Sequence, residues 1–259
     1  MIALFNSLVY QPLYNLLIFV YNVFPLHDFG IAIIIVTIVI KILLVPLSRK
    51  QIESQKKMQE LQPKIKEIQE KYKNDKEKQS RALMEFYKTN KTNPFSGCLP
   101  TIFQLIFLIA IYRVLFNISN AGLKIDGTGL YSFIANPDQI NRSFLGIIDL
   151  SKAIDLSHLA VANIPHILLV VLAAAAQYVQ TKMLMAKSAA TNQKSGQKQD
   201  ISQIMTQQML YLGPLLTLFI GIKFPAGLAL YWLVSTIFSV AQQYFIIKED
   251  EKKAIAVAK

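Results

Sequence analysis

One stretch constrains this chain more than any other: Phe29 to Leu47, FGIAIIIVTIVIKILLVPL. It is apolar throughout except for one ammonium, Lys41. At a helical rise of ~1.5 Å per residue it is roughly 28 Å long, about the hydrocarbon thickness of a bilayer. Lys41 then falls about two thirds of the way along. A charge at the bilayer centre costs on the order of 2.5–3.5 kcal/mol on insertion scales. Either the side chain snorkels to the interface, or polar groups inside the protein receive it.

The rest of the chain repeats the pattern. Of 259 residues, 53% are hydrophobic, and they come in long blocks. That predicts an all-α integral membrane protein with several spans. The net charge of +11 is uneven: residues 49–91 carry thirteen Lys/Arg against seven Asp/Glu, more than half of the excess. A basic segment of this kind marks the cytoplasmic side, and it also suits RNA or anionic lipid. Cys98 is the only cysteine, which leaves no intrachain disulfide. His27, His158 and His166 have no metal-ligand spacing, so no metal site is expected.

The spans can be placed in order. Residues 1–28 carry Ser7, Gln11, Asn15 and Asn22 on one side of a helical wheel, the pattern of an interfacial amphipathic helix. A first span or a signal peptide are the competing readings; the absence of any Lys or Arg before Lys41 weakens the second. Span 1 is 29–48. Residues 49–96 turn polar, with Met58, Leu61, Ile65, Ile68 and Tyr72 spaced as a heptad-like seam and a break at Lys73–Asp75. That predicts an antiparallel helical hairpin, with a kink or restart at Pro63. Span 2 is 97–117, with Gln104 and Arg113; Arg113 is expected to snorkel to the outer headgroups. Residues 118–160 hold three Lys/Arg and four Asp and read as an outer loop. Span 3 is 161–183, followed by a polar loop at 184–206. Span 4 is 207–222, an outer turn with span 5 occupies 223–247, and a tail fills 248–259. Five spans put the N-terminus outside and the C-terminus in the cytoplasm.

No Asp or Glu occurs in 29–48, 97–117, 161–183 or 207–247. That argues against a proton relay, a carboxylate cation site or an intramembrane aspartyl protease. No phosphate loop, dinucleotide fingerprint or hydrolase elbow is present, so no catalytic residue, cofactor or small-molecule substrate is expected. The spans hold amides and hydroxyls instead: Thr37, Gln104, Gln177, Gln180, Gln207, Gln208, Ser235, Ser239 and Gln242. A single glutamine reads first as an interhelical hydrogen-bonding group. Lys41 does not, because no acid in the spans neutralises it. A hydrated concavity open to the cytoplasm is the cheaper solution. An anion pore and a membrane-anchored ribosome- or RNA-binding scaffold are the rivals. The absence of repeats argues against the first, and buried polar groups in the spans against the second.

The segments GIAIIIVTIVIKILLVPLSRKQ, SQKKMQELQPKIKEIQEKYKNDKEK, LMEFYKTNKTNPFSGCLPTIFQ and FPAGLALYWLVSTIFSVAQQYFI resemble the YidC membrane-protein insertases of the Oxa/Alb superfamily. The resemblance covers about 29–117 and 161–247. It implies a short form of the family, without the large periplasmic domain, in a bacterial inner or plasma membrane. It further implies a groove formed by five spans, open to cytoplasm and lipid, that receives nascent membrane-protein clients. Lys41, Thr37, Gln104, Gln177, Gln180, Tyr231, Trp232, Ser235 and Gln242 would line it. Met58, Leu61, Pro63, Lys64 and Tyr72 on the hairpin would make first contact with client, ribosome or targeting factors, and the Sec translocon is an implied partner. Lys41 departs from the family's usual Arg: it keeps the charge and loses the guanidinium fork.

Overall fold

The structure is a computed structural model that describes residues 2–93, 99–120, 125, 127, 129–155, 161–191 and 201–257. Nine α-helices are described, α1 Ile2–Phe5, α2 Gln11–Val23, α3 Phe29–Leu43, α4 Val45–Lys71, α5 Lys76–Thr89, α6 Leu99–Asn120, α7 Ile164–Thr191, α8 Ile201–Lys223 and α9 Ala226–Val257. A π-helical turn, Asn6–Tyr10, joins α1 to α2. The only strands described are a two-residue antiparallel pair, β1 Ser143–Phe144 and β2 Ile148–Asp149. The all-α membrane fold is as expected. Cys98 and the turn at 94–98 lie outside the described residues, as do His158 and residues 192–200 of the polar loop.

Helix α9 is the axis of the bundle, packed by α3, α6, α7 and α8, with α2 against α3 on the far side. By length and composition Ile2–Val23, Ile164–Met183 and Ala226–Glu249 can each cross a membrane, and Gln104–Ile118 and Leu210–Lys223 are shorter apolar helices. The run that opened the sequence reading is not one straight helix. It bends by 64° between Phe29–Leu43 and Val45–Met58. Pro46 stands at the start of the second helix, where its ring cannot continue the α3 ladder. Lys41 is therefore in the last turn of α3, beside that helix's C-terminal carbonyls, and not two thirds of the way through a longer span.

The outer loop is folded against the helix ends it joins. Asp28 caps α3, accepting from Gly30 N at 2.8 Å and Ile31 N at 3.1 Å. Its other oxygen accepts from Leu145 N at 2.6 Å, which pins the β-pair over the helix start. The Phe144 side chain lies directly on Gly30: a Cβ there would sit 2.3 Å from the ring. At the start of α9, Ala226 N donates to Lys152 O and Gly227 N to Leu150 O, satisfying donors that a helix N-terminus leaves free.

The polar stripe on α2 hydrogen-bonds the outer loop. Asn15 is buried; it donates to Gln11 O and Gly129 O and accepts from Tyr131 N. Gln11 donates to Gly129 O as well, and Asn22 to Ala135 O. The loop's peptide groups need partners, and this stripe supplies them. Arg113 meets the N-terminal segment. It donates to Asn6 Oδ1 at 2.9 Å, with its guanidinium 5.2 Å from the Tyr10 ring centre and 5.7 Å from that of Phe5.

At the opposite end α4 and α5 form the expected antiparallel hairpin. Ile65 is its buried seam residue, with Met58, Leu61, Ile68 and Tyr72 half-buried. Pro63 neither ends nor restarts α4, which runs unbroken to Lys71. Its ring removes one ladder bond while the seam on either side keeps packing. Lys64 is exposed. Asp75 caps α5 through Lys78 N at 3.0 Å, and Gln79 Nε2 donates to Gln69 O at 2.7 Å across the hairpin. Arg49 ties the hairpin's root to α9 through both oxygens of Glu249, each at 3.0 Å.

Candidate functional site: a polar cluster around Lys41

Two helices, α6 and α9, bring neutral polar groups to the ammonium on α3. Lys41 Nζ donates to Ser239 Oγ on α9 at 2.9 Å and to Gln104 Oε1 on α6 at 3.4 Å. Ser235, one turn before Ser239, donates to the same Gln104 oxygen at 2.8 Å. The Ser239 hydroxyl in turn donates to Ser235 O at 2.9 Å, which aims its lone pairs at Lys41. No carboxylate among the described residues pairs with Lys41. The charge rests on hydroxyl and amide oxygens and on the C-terminal end of α3.

The other residues singled out in the sequence fall into two groups. Thr37, one turn before Lys41, is buried, and its hydroxyl is spent on Ile33 O at 2.6 Å. Gln242 donates to Val45 O at 3.3 Å, satisfying a carbonyl at the α3–α4 bend. Both therefore border the cluster without joining its hydrogen bonds. A second pair lies on α7 and α9: Trp232 Nε1 donates to Gln177 Oε1 at 3.2 Å. Gln180 is half-buried three residues further along α7, and Tyr231 is buried next to Trp232.

Ser239 is the contact that sequence reasoning counted among the polar groups of the spans but did not assign to the groove. It was one hydroxyl among several in a long apolar stretch. The four-residue spacing from Ser235, which puts both on one face of a helix, was the signal that could have found it. Gln243, four residues further on, continues that stripe and is buried. Among the described residues no set of His, Cys, Asp or Glu is arranged to hold a metal ion.

Apolar helices long enough to cross a membrane, packed around a cation held by neutral groups, define a polytopic membrane protein. Residues 19–253 match the family described as 60Kd inner membrane protein, and the chain belongs to that family. It is 34% identical to "Membrane protein insertase YidC" of Fusobacterium nucleatum subsp. nucleatum over 94% of this chain and 98% of the relative. It is 31% identical to "Membrane protein insertase YidC 2" of Bacillus anthracis, over 97% of this chain and 84% of that one. The chain is also 35% identical to a protein of the same name from Geotalea uraniireducens, but spans only 38% of its length. The chain is thus a multi-pass protein of the bacterial inner membrane.

Proposed function

We propose that this chain inserts newly made membrane proteins into the bilayer, receiving the polar flank of a client at Lys41 while the client's apolar segment moves into lipid. The observation that carries the reading is the ammonium held 2.9 Å from Ser239 and 3.4 Å from Gln104 with no carboxylate partner among the described residues. Such a cation is free to attract a carboxylate that enters from outside the protein. Transfer of the client's apolar surface, at about 0.8 kcal/mol per buried methylene, supplies the drive, so no nucleotide and no covalent step are needed.

In this reading the recess opens to the cytoplasm beside the α4–α5 hairpin and is closed on the outside by residues 129–155. The N-terminus is outside and the C-terminus cytoplasmic. The basic hairpin meets the ribosome or a targeting factor first, and the Sec translocon shares some clients. The groove residues are Lys41, Gln104, Ser235 and Ser239, with Thr37, Gln177, Gln180, Tyr231, Trp232 and Gln242 around them.

The test is photocrosslinking of a ribosome-bound single-span client to probes at Thr37, Lys41, Gln104 and Trp232. Crosslinks at all four, lost when the client's apolar segment is deleted, are expected. No crosslink at any of them, together with insertion unaffected by Lys41→Ala, would sink the groove reading.

A further inference from the structure

Gln104 has one arm spent and one arm free. Its Oε1 accepts from Lys41 at 3.4 Å and from Ser235 at 2.8 Å. An ammonium can only donate, so the amide oxygen must face Lys41, and Nε2 is turned away from it. That nitrogen is buried and meets no acceptor among the described residues. The same is true of Nε2 of Gln243, one turn beyond Ser239 on α9, and of Nε2 of Gln51 on α4, past the bend. Three helices thus carry buried amide donors without acceptors among the described residues, and the one on Gln104 belongs to the amide that holds Lys41; none of the apolar segments contains an acid. A buried donor without a partner costs about 1–3 kcal/mol. What Gln104 lacks at the cation is therefore a hydrogen-bond acceptor.

We infer that Gln104 is a recognition residue whose Nε2 donates to uncharged backbone carbonyls of an incoming segment in extended conformation, separately from the attraction of Lys41 for acids. The inference rests on the insertase reading above. A segment already closed into a helix satisfies its own carbonyls. The polar flank ahead of a client's apolar helix does not. Each of its unpaired carbonyls carried to membrane depth is costly, and an amide donor fixed in place offsets part of that cost. The recess then serves clients whose flank carries no acidic residue at all.

The experiment uses the full chain in liposomes and two single-span clients that differ only in an Asp-rich or a Ser/Asn-rich flank. Gln104→Met is expected to lower insertion of the neutral-flank client about fivefold, the worth of one ordinary hydrogen bond, and to lower the acidic-flank client less than twofold. Lys41→Ala is expected to do the reverse. If Gln104 only positions Lys41, Gln104→Met will follow Lys41→Ala and strike the acidic-flank client hardest, which overturns the inference; so does indifference of both clients. A second measurement leaves the chain unaltered. Esters in place of the neutral flank's backbone amides weaken its carbonyls as acceptors and should lower insertion at least twofold; unchanged insertion overturns the inference even where the methionine variant does not assemble. An unaltered chain that inserts neither client above empty liposomes overturns the insertase reading itself, a result distinct from both.

Discussion

The ammonium of Lys41 lies 2.9 Å from the hydroxyl of Ser239, a residue 198 positions further along the chain. Ser239 is the shorter of the two contacts that hold the charge, and it joins α3 to α9. Hydrogen bonds between membrane helices average about 0.6 kcal/mol and reach about 1.7, and one with a charged donor belongs in the upper part of that range. A double-mutant cycle of Ser239→Ala and Lys41→Met, read by unfolding in detergent, is therefore expected to give a coupling of about 1 kcal/mol. A coupling near zero would mean that Lys41 is held by Gln104 and the helix end alone.

The charge itself is tested by substitution at Lys41. Arginine keeps the cation and can still donate to Ser239 and Gln104, so Lys41→Arg should insert clients as well as the unaltered chain. Alanine removes the attraction. Lys41→Ala is expected to impair acidic-flank clients about tenfold, as about 1.4 kcal/mol of lost attraction requires. Lys41→Glu repels the same flank and should abolish their insertion. Full complementation by Lys41→Glu would refute an electrostatic role for this position.

Gly30 and Phe144 make a more local test. The Phe144 side chain occupies the place of a Cβ at Gly30, with the nearest ring atom 2.3 Å from that position. Overpacking of this kind typically costs about 1–3 kcal/mol. Gly30→Ala should destabilise the protein by about that much and loosen the β-pair, read as faster proteolysis between residues 142 and 150. Adding Phe144→Gly should return most of the loss, because the ring and the Cβ that stands 2.8 Å from the added methyl are then both gone. If the double variant is no more stable than Gly30→Ala, the glycine is required for another reason.

Much of this was legible from residue patterns, and the limits have physical causes. The apolar blocks and the charge run placed the helices and the hairpin, because periodicity and hydropathy are local properties. The Lys41–Ser239 contact was not legible, since nothing local says which face of α9 meets α3. The 64° bend had its signal in Pro46, but an apolar run of span length masked it. The stripe of Gln11, Asn15 and Asn22 was visible, but its hydrogen bonds to the outer loop were not. Sequence gives the polarity of a face and not whether water or a loop's peptide groups satisfy it.

That stripe makes its own prediction. Asn15 is 1% exposed and serves two loop peptide groups, Gly129 O at 2.8 Å and Tyr131 N at 2.6 Å. Asn15→Leu keeps the branched outline, strands Tyr131 N and leaves Gly129 O only the 3.4 Å contact from Gln11. Each buried group left unpaired costs about 1–3 kcal/mol. The expected result is a loss of about 2–4 kcal/mol, the loop relaxing toward water to recover part of it. Hydrogen exchange should show the Tyr131 amide losing protection first. An Asn15→Leu protein with that amide still protected would mean the loop is held by its other contacts.

The hairpin offers a pH-dependent test. Backbone and side-chain contacts from Lys78 hold the Asp75 carboxyl below the usual carboxylate range. A carboxyl lowered on folding stabilises the hairpin at pH values above its unfolded pKa. That contribution is lost as pH falls through the lowered folded value, so it is complete at neutral pH and disappears only in acid. Asp75→Ala should speed exchange of the Lys78 and Gln79 amides at pH 7, while the unaltered chain should match the variant only at strongly acid pH. Replacing residues 56–90 with a short Gly/Ser linker goes further. It leaves Arg49 and Glu249, 3.0 Å apart, to hold the start of α4 against α9, so the membrane helices should still assemble. Under the proposed function client insertion should fall nonetheless, because the proposed first-contact surface is gone. If insertion survives the replacement intact, the α4–α5 hairpin is only a connector, and delivery to Lys41 takes place without it.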